Sequence, residues 1–343
     1  MAELERLALD DRDWRSFVGA HADATPFHDP AWARVIAECY GLDAFVLAER
    51  GPTGALVAGL PVVAAPRLPG RGRRLVSLPY TDLVCPLVEP AGEPHFARLL
   101  DDARRRLGFD RLELRAPLAG SSPLPETAVI HRLALPPQPE SLLAGLSGKR
   151  RQRIRAAARS TVAIRRAERE EDVTETYFRL HLLTRRRLGV PSQPRRFFRL
   201  LWRHVLEPGG GFVLLAEAGG APLAGAVFMT GNETVVYKYS ATDRSIRAGE
   251  PAELLLWRAL AESCEQGFST FDFGRTELDA HGLRGFKARW GAVEEPLVYS
   301  VLGRHGAGGA TGAPGAGLVK GALRRAPLWV TRLSGELLYR YAA

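Results

Sequence analysis

Cysteine and methionine are scarce in this chain, three and two of 343 residues. Cys39, Cys85 and Cys264 lie far apart and form neither a CxxC pair nor a disulfide framework, which argues against a structural zinc site and points to a reducing cytosol. Long apolar runs are also missing. A stretch such as 55–65 is broken by Gly59 and Pro61, and none approaches the ~20 residues that a bilayer span requires. The first residues are acidic rather than basic-then-apolar, so no export signal is expected and the predicted location is cytoplasmic. Metal-binding patterns are lacking too. The eight histidines (21, 28, 95, 131, 181, 204, 281, 305) show no HxxxH or HExxH pair, so no metal site is predicted. Without a GxSxG elbow or a GK[ST] loop, serine-hydrolase and nucleotide-hydrolysing classes lose their usual handles.

What is present is ordinary globular composition, 46% hydrophobic and 25% charged, in a chain long enough for two domains. Residues 30–40 place Trp32, Val35, Ile36 and Cys39 at helical spacing behind Pro30, a first-turn residue. Strands are predicted at 45–48, 54–63 and 75–80, a helix at 96–107, and an alternating strand at 111–115. The segment 117–139, rich in Pro and Ser around a strand at 129–135, reads as the boundary. The second half repeats the plan: helices at 170–188 and 194–206, strands at 212–217, 223–230 and 234–240, a helix at 252–266, then strands at 270–273 and 297–302. Two α/β units of similar element order suggest an internal duplication. The expected domains are 1–140 and 141–303, followed by a Gly/Ala-rich linker at 304–317 and a terminal amphipathic helix at 318–343. That helix either docks back on the body or lies on anionic lipid as a peripheral membrane contact.

Charge is concentrated. The chain carries +9 in all, yet 149–199 alone holds sixteen basic against five acidic residues, a net +11. Ser147 is a credible N-cap for a helix from 149, and spacing of three and four puts Arg151, Arg155 and Arg159 on one face. A cationic ridge of this kind attracts polyphosphate.

The densest unusual stretch is 271–291, where a strand ends at Phe273, Gly274 releases the chain into a polar, glycine-containing loop, and Phe286 and Lys287 follow where the backbone returns to the fold. Four segments, Asp272-Phe273-Gly274-Arg275, the FKARWG run at 286–291, the basic helix at 148–156, and 181–189 with Phe197 and Phe198, resemble the Fem-like (FemAB/FemX-type) N-acyltransferases. Those enzymes transfer aminoacyl groups to peptidoglycan precursors and consist of two tandem GNAT-type domains, mixed β-sheets flanked by helices. The resemblance covers roughly 30–303.

It implies an amide-forming aminoacyltransferase in which Lys287 faces the junction of donor and acceptor and steadies an oxyanion, with Phe286 beneath it. The nucleophilic amine needs a base. Asp82, in the loop after Pro79 and Tyr80, falls where Fem-like proteins keep an acidic residue and is preferred for its freedom to reach a ligand; Asp272, inside its strand, is the rival. Arg185 and Arg186 match the acceptor-phosphate region, and Arg275 belongs to the acceptor side. Tyr237 and Tyr239 flank Lys238 on a strand, where alternation puts both tyrosines on one face. Lys149, Arg151, Arg155, Arg244 and Arg247 are the donor-binding candidates.

The coenzyme A loop of ordinary GNAT enzymes corresponds here to 243–252, which has one glycine, with Glu250 and Pro251 at the helix start. An acidic side chain opposes phosphate there and proline removes an N–H. Aminoacyl-tRNA is therefore the expected donor, with no resident cofactor, and a peptidoglycan precursor or a small amine metabolite the acceptor. The alternatives are an acyl-CoA-dependent N-acyltransferase serving envelope polysaccharide or metabolite synthesis, and a non-catalytic GNAT-like module that binds polyanions.

Overall fold

The computed structural model describes residues 3–66, 72–246, 249–304 and 316–339. These residues divide into two compact units, one formed by those of 3–128 with 296–304, the other by those of 129–295 with 316–339.

In the first unit the order is β1 (Glu5–Leu7), α1 (Arg12–Ala20), α2 (Pro30–Tyr40), β2 (Ala44–Arg50), β3 (Leu56–Ala64), β4 (Arg74–Val76), β5 (Leu87–Val88), α3 (Glu93–Arg106), β6 (Arg111–Leu114) and β7 (Ser122–Pro123). Helix α2 begins as its sequence demands. The Asp29 carboxylate accepts from Ala31 N–H, Pro30 fills the first turn, and Gly41 ends the helix at φ 63°. The sheet runs β1-β2-β3-β4-β6-β15-β7, with β5 beside β3 and β15 formed by Ser300–Gly303.

The second unit comprises β8 (Ala128–Ala134), α4 (Pro139–Gly145), α5 (Gly148–Ala158), β9 (Ala163–Arg166), α6 (Phe178–Leu188), α7 (Arg195–Leu201), β10 (Gly211–Ala218), β11 (Ala221–Gly231), β12 (Thr234–Thr242), α8 (Pro251–Glu265), β13 (Thr270–Glu277), α9 (His281–Ala288) and β14 (Val293–Leu297). Two further helices, α10 (Ala316–Arg325) and α11 (Leu328–Leu338), close the unit. A π-helical turn, Asp172–Tyr177, leads into α6, and another, Trp202–Leu206, follows α7. The sheet order is β14-β8-β13-β12-β11-β10-β9. One core fills the face under α4, α5 and α8, with Leu142, Ile154, Leu256, Phe228, Phe271 and Trp290. Ring contacts among Tyr177, His181, Phe197, Phe198 and Tyr239 tie α6 and α7 to β12.

The expected division at 140 and 303 needs amending. Strand 128–134 pairs in the second sheet, beside β13 and β14, whereas 300–303 pairs with Leu114 through Arg111 of β6 in the first. Each strand joins the ladder that satisfies its N–H and C=O groups, irrespective of which half of the chain it comes from. The predicted loop before Phe286 is helix α9 instead. Of the predicted linker, only Arg304, Ala316 and Gly317 are among the described residues, the latter two at the start of α10. No helix among the described residues is long and apolar enough to cross a membrane.

Candidate active site

The second sheet has a break in its pairing. Strands β12 and β13 are parallel, and their ladder covers only Thr234–Val236 against Thr270–Asp272. β12 nevertheless continues to Thr242 and β13 to Glu277. The strands thus separate beyond Val236 and Asp272, at their carboxyl ends, where open α/β sheets take their ligands.

Asp272, Gly274, Arg275 and Lys287 meet at this separation. Asp272 Oδ1 accepts from Gly274 N–H at 2.6 Å, an Asx-type link that holds the chain as Gly274 adopts φ 71°. The Lys287 ammonium, on α9 and only 3% exposed, donates to the Gly274 carbonyl at 2.6 Å and to that of Arg275 at 3.4 Å. A buried ammonium is tolerated because those carbonyl dipoles replace water. Arg275 itself is half-buried and pairs with Glu277 at 3.0 Å. Phe286 packs on Trp290, with the Arg150 guanidinium over both rings.

A residue that sequence reasoning passed over stands beside this group. His131, on β8, is fully buried, and Glu294 Oε2 lies 3.2 Å from its Nε2. Burial pushes the imidazole below its usual pKa, and the Lys287 charge pushes it further. Glu294 is held low by the two-pronged hydrogen bonds of Arg284, at 2.7 and 2.8 Å. The signal in the sequence was a lone histidine in the apolar strand 128–134, which has no motif around it.

Asp82 belongs to the first unit and lies half-buried on a braced turn, not a free loop. Leu78 and Tyr80, on either side of Pro79, both have positive φ, at 53° and 63°. Such strain persists only where neighbours over-determine it, and it concentrates at functional sites. Here Trp32 Nε1 donates to Thr81 Oγ1, Tyr299 Oη to the Asp82 carbonyl, Arg115 N–H to Ser77 Oγ and His28 Nε2 to the Cys85 carbonyl, all at 2.7–2.8 Å.

The two tyrosines do not share a face. Tyr239 pairs with Val227 and Tyr237 with Phe228, which leaves Lys238 as the extra residue of a β-bulge. Tyr237 therefore stacks on Phe228 in the core under α8, with its hydroxyl pKa raised by desolvation, and Tyr239 turns to Phe197 and His181 beneath α6 and α7.

On α6, half-buried Arg185 donates from Nε to the Pro191 carbonyl at 2.8 Å, beside half-buried Arg186. Lys149 and Arg155 are exposed on α5, which Ser147 caps as expected. Arg151 is redirected: its Nη1 donates to the carbonyls of Ala144, at 2.9 Å, and Leu146, so it closes the end of α4. The buried cation of α5 is Arg150, paired with Glu253 in the first turn of α8. Arg244 is exposed just beyond β12, where its charge joins burial in lowering the Arg187 pKa. Arg247 lies outside the described residues. A groove of about 720 Å³ in the first unit, between Arg98, Asp101, Gly120 and Val301, contains none of the candidates.

Residues 147–287, from the cap of α5 to Lys287, match the acetyltransferase (GNAT) domain family. The structure superposes on that of FemX with a TM-score of 0.69 at 15% identity, over 87% of this chain and 96% of that one. Residues 147–287 thus form a GNAT acetyltransferase domain, and the chain shares the fold of FemX. It is also similar to the C-terminal domain of a putative lysylphosphatidylglycerol synthetase from Agrobacterium fabrum (TM-score 0.54, 15% identity, 86% of this chain and 91% of that one). A tandem GNAT protein from the clavulanic acid biosynthesis pathway gives 0.51 at 14% identity over 89% and 100%. No curated protein matches the sequence.

Proposed function

We propose that this Fem-like acyltransferase joins an amino acid, activated as aminoacyl-tRNA, to an amine on a peptidoglycan precursor or a small amine metabolite. The observation that carries the reading is the buried, carbonyl-anchored Lys287 ammonium where β12 and β13 separate. The acceptor nitrogen attacks the ester carbonyl carbon. A C–N bond forms, the bond to the ribose oxygen breaks, the amine proton passes to a base, and the leaving oxygen is protonated. Lys287 steadies the negative charge that develops on the carbonyl oxygen. We assign proton abstraction to Asp82, because one oxygen of Asp272 is committed to Gly274 N–H. Arg185, Arg186, Arg275 and Tyr239 are kept as acceptor-side residues, Arg185 and Tyr239 acting by shaping that side, whereas Tyr237 belongs to the core of the other face.

The donor assignment rests on α8. Phosphates of coenzyme A use the N–H groups and dipole of a helix N-terminus. Here Pro251 opens the helix, Glu250 precedes it without a capping bond, and the Glu253 carboxylate sits in its first turn against Arg150. Negative charge already occupies that end. The exposed cations Lys149, Arg155, Arg187 and Arg244 suit the phosphates of an RNA. Similarity to FemX and to a lysylphosphatidylglycerol synthetase favours an aminoacyl group.

Transfer of radiolabelled amino acid from charged tRNA to an amine acceptor, with and without RNase, tests this. Loss of product on RNase treatment is the expected result. Product formed from acyl-CoA in the presence of RNase would replace tRNA by coenzyme A as the donor.

A further inference from the structure

The terminal helices pack on the second unit and leave one face unused. Both α10 and α11 contact α6. Helix α11 approaches through small residues: Thr331 is fully buried, and a side chain at Gly335 would run into the Ser192 carbonyl. At 100° per residue, positions 329 and 333 lie about 200° from 331 and 335, on the opposite side of the helix. Those positions hold Trp329, 63% exposed, and Leu333, 43% exposed. Exposing a Trp and a Leu one turn apart costs solubility.

The surroundings are cationic. Lys320, Arg324, Arg325 and Arg332 are all exposed on the two helices, and Glu336, an exposed acid there, is paired with Arg332 at 3.0 Å. The stems of Lys320 and Arg324 lie over Gly189, so this charge adjoins exposed Arg187 and Leu188 at the end of α6. No acidic residue occurs between Glu175 and Glu207.

We propose that the outer face of α10–α11 is a docking surface for an anionic phospholipid bilayer. Trp329 and Leu333 enter the headgroup boundary, and Lys320, Arg324, Arg325 and Arg332 meet lipid phosphates. A tryptophan and a leucine on the outer side of a basic helix pair is the pattern of helices that lie in a membrane interface. A second copy of this chain is a poor partner, since it would bring the same positive charges against this face. RNA offers the phosphates but no apolar layer to receive Leu333.

Sedimentation of the full chain with vesicles tests the proposal. Vesicles of phosphatidylcholine with one quarter phosphatidylglycerol should pull the protein down in 0.1 M salt, and phosphatidylcholine alone should not. R324A/R325A is expected to lower the partition coefficient about thirtyfold, and W329S/L333S at least tenfold. Both variants should keep the wild-type melting temperature and turn over a water-soluble acceptor at the wild-type rate. Equal binding to both vesicle types, or none to either, overturns the proposal. So does W329S/L333S binding like wild type. If that variant loses tRNA affinity or self-association and keeps its vesicle binding, the face belongs to RNA or to a second copy instead.

Discussion

Replacing Lys287 by methionine removes the ammonium and keeps most of the side-chain volume. In the native structure that group is 3% exposed and anchored by two carbonyls, so it is held in place before any substrate arrives. A preorganised charge that acts on a developing oxyanion is worth about 10²- to 10³-fold in kcat, or roughly 3–4 kcal/mol. In the proposed role it acts on the transition state, so KM for the donor should move by less than about threefold. Folding is affected less. The carbonyls of Gly274 and Arg275 lose a donor, at about 1–3 kcal/mol, and the relief of ammonium desolvation offsets part of that.

His131 supplies an internal control. Its imidazole is held down first by burial and second by Lys287, so K287M should raise its pKa without restoring the ordinary value. The assay is steady-state transfer combined with NMR titration of the His131 ring. A variant whose His131 titration moves upward as expected but whose kcat stays within threefold of wild type would refute the catalytic role, because the ammonium would then be correctly located and chemically idle.

Three further outcomes follow from the same structure. Glu253→Gln leaves the buried Arg150 guanidinium without its counter-charge and should cost about 3–5 kcal/mol, whereas R150M/E253L should cost far less, as read from denaturant midpoints. His28 and His181 are buried neutral, with pKa values lowered from 6.5 to about 4 and about 3, chiefly by desolvation. The unfolded chain therefore binds more protons than the native one below pH 6.5, and each histidine should remove about 3 kcal/mol of stability as pH falls from 6.5 to 4, with His181 continuing to about pH 3. Denaturant melts at pH 7, 5.5 and 4 check this, and His28→Gln or His181→Gln should flatten the dependence. Gly335→Val should lift α11 from Ser192 and speed its removal by limited proteolysis, leaving the rest of the second unit resistant.

Much of the architecture was legible because its causes are local. Asp29 and Pro30 start α2, Ser147 starts α5, and apolar spacing marks α3, α6 and α8. The grouping of Asp272, Gly274 and Lys287 was legible for a similar reason. A glycine that ends a strand and a lysine thirteen residues on need only one intervening turn of chain and one short helix to meet. His131, Arg150, Glu253 and Glu294 were not legible, because each gains its meaning from a partner that another element presents.

By itself the sequence determined most of the longer helices, most strands, the concentration of positive charge and the short motifs at 272–275 and 286–291, all of which depend on residues within a few positions of one another. Tertiary structure alone decided which sheet receives 128–134 and 300–303, and that one extra residue at Lys238 sends Tyr237 and Tyr239 to opposite faces. It also decided that Arg151 closes α4 while its neighbour Arg150 is buried against α8. Strand pairing and register are settled by hydrogen-bond partners far along the chain, and a shift of a single residue reverses every side chain beyond it.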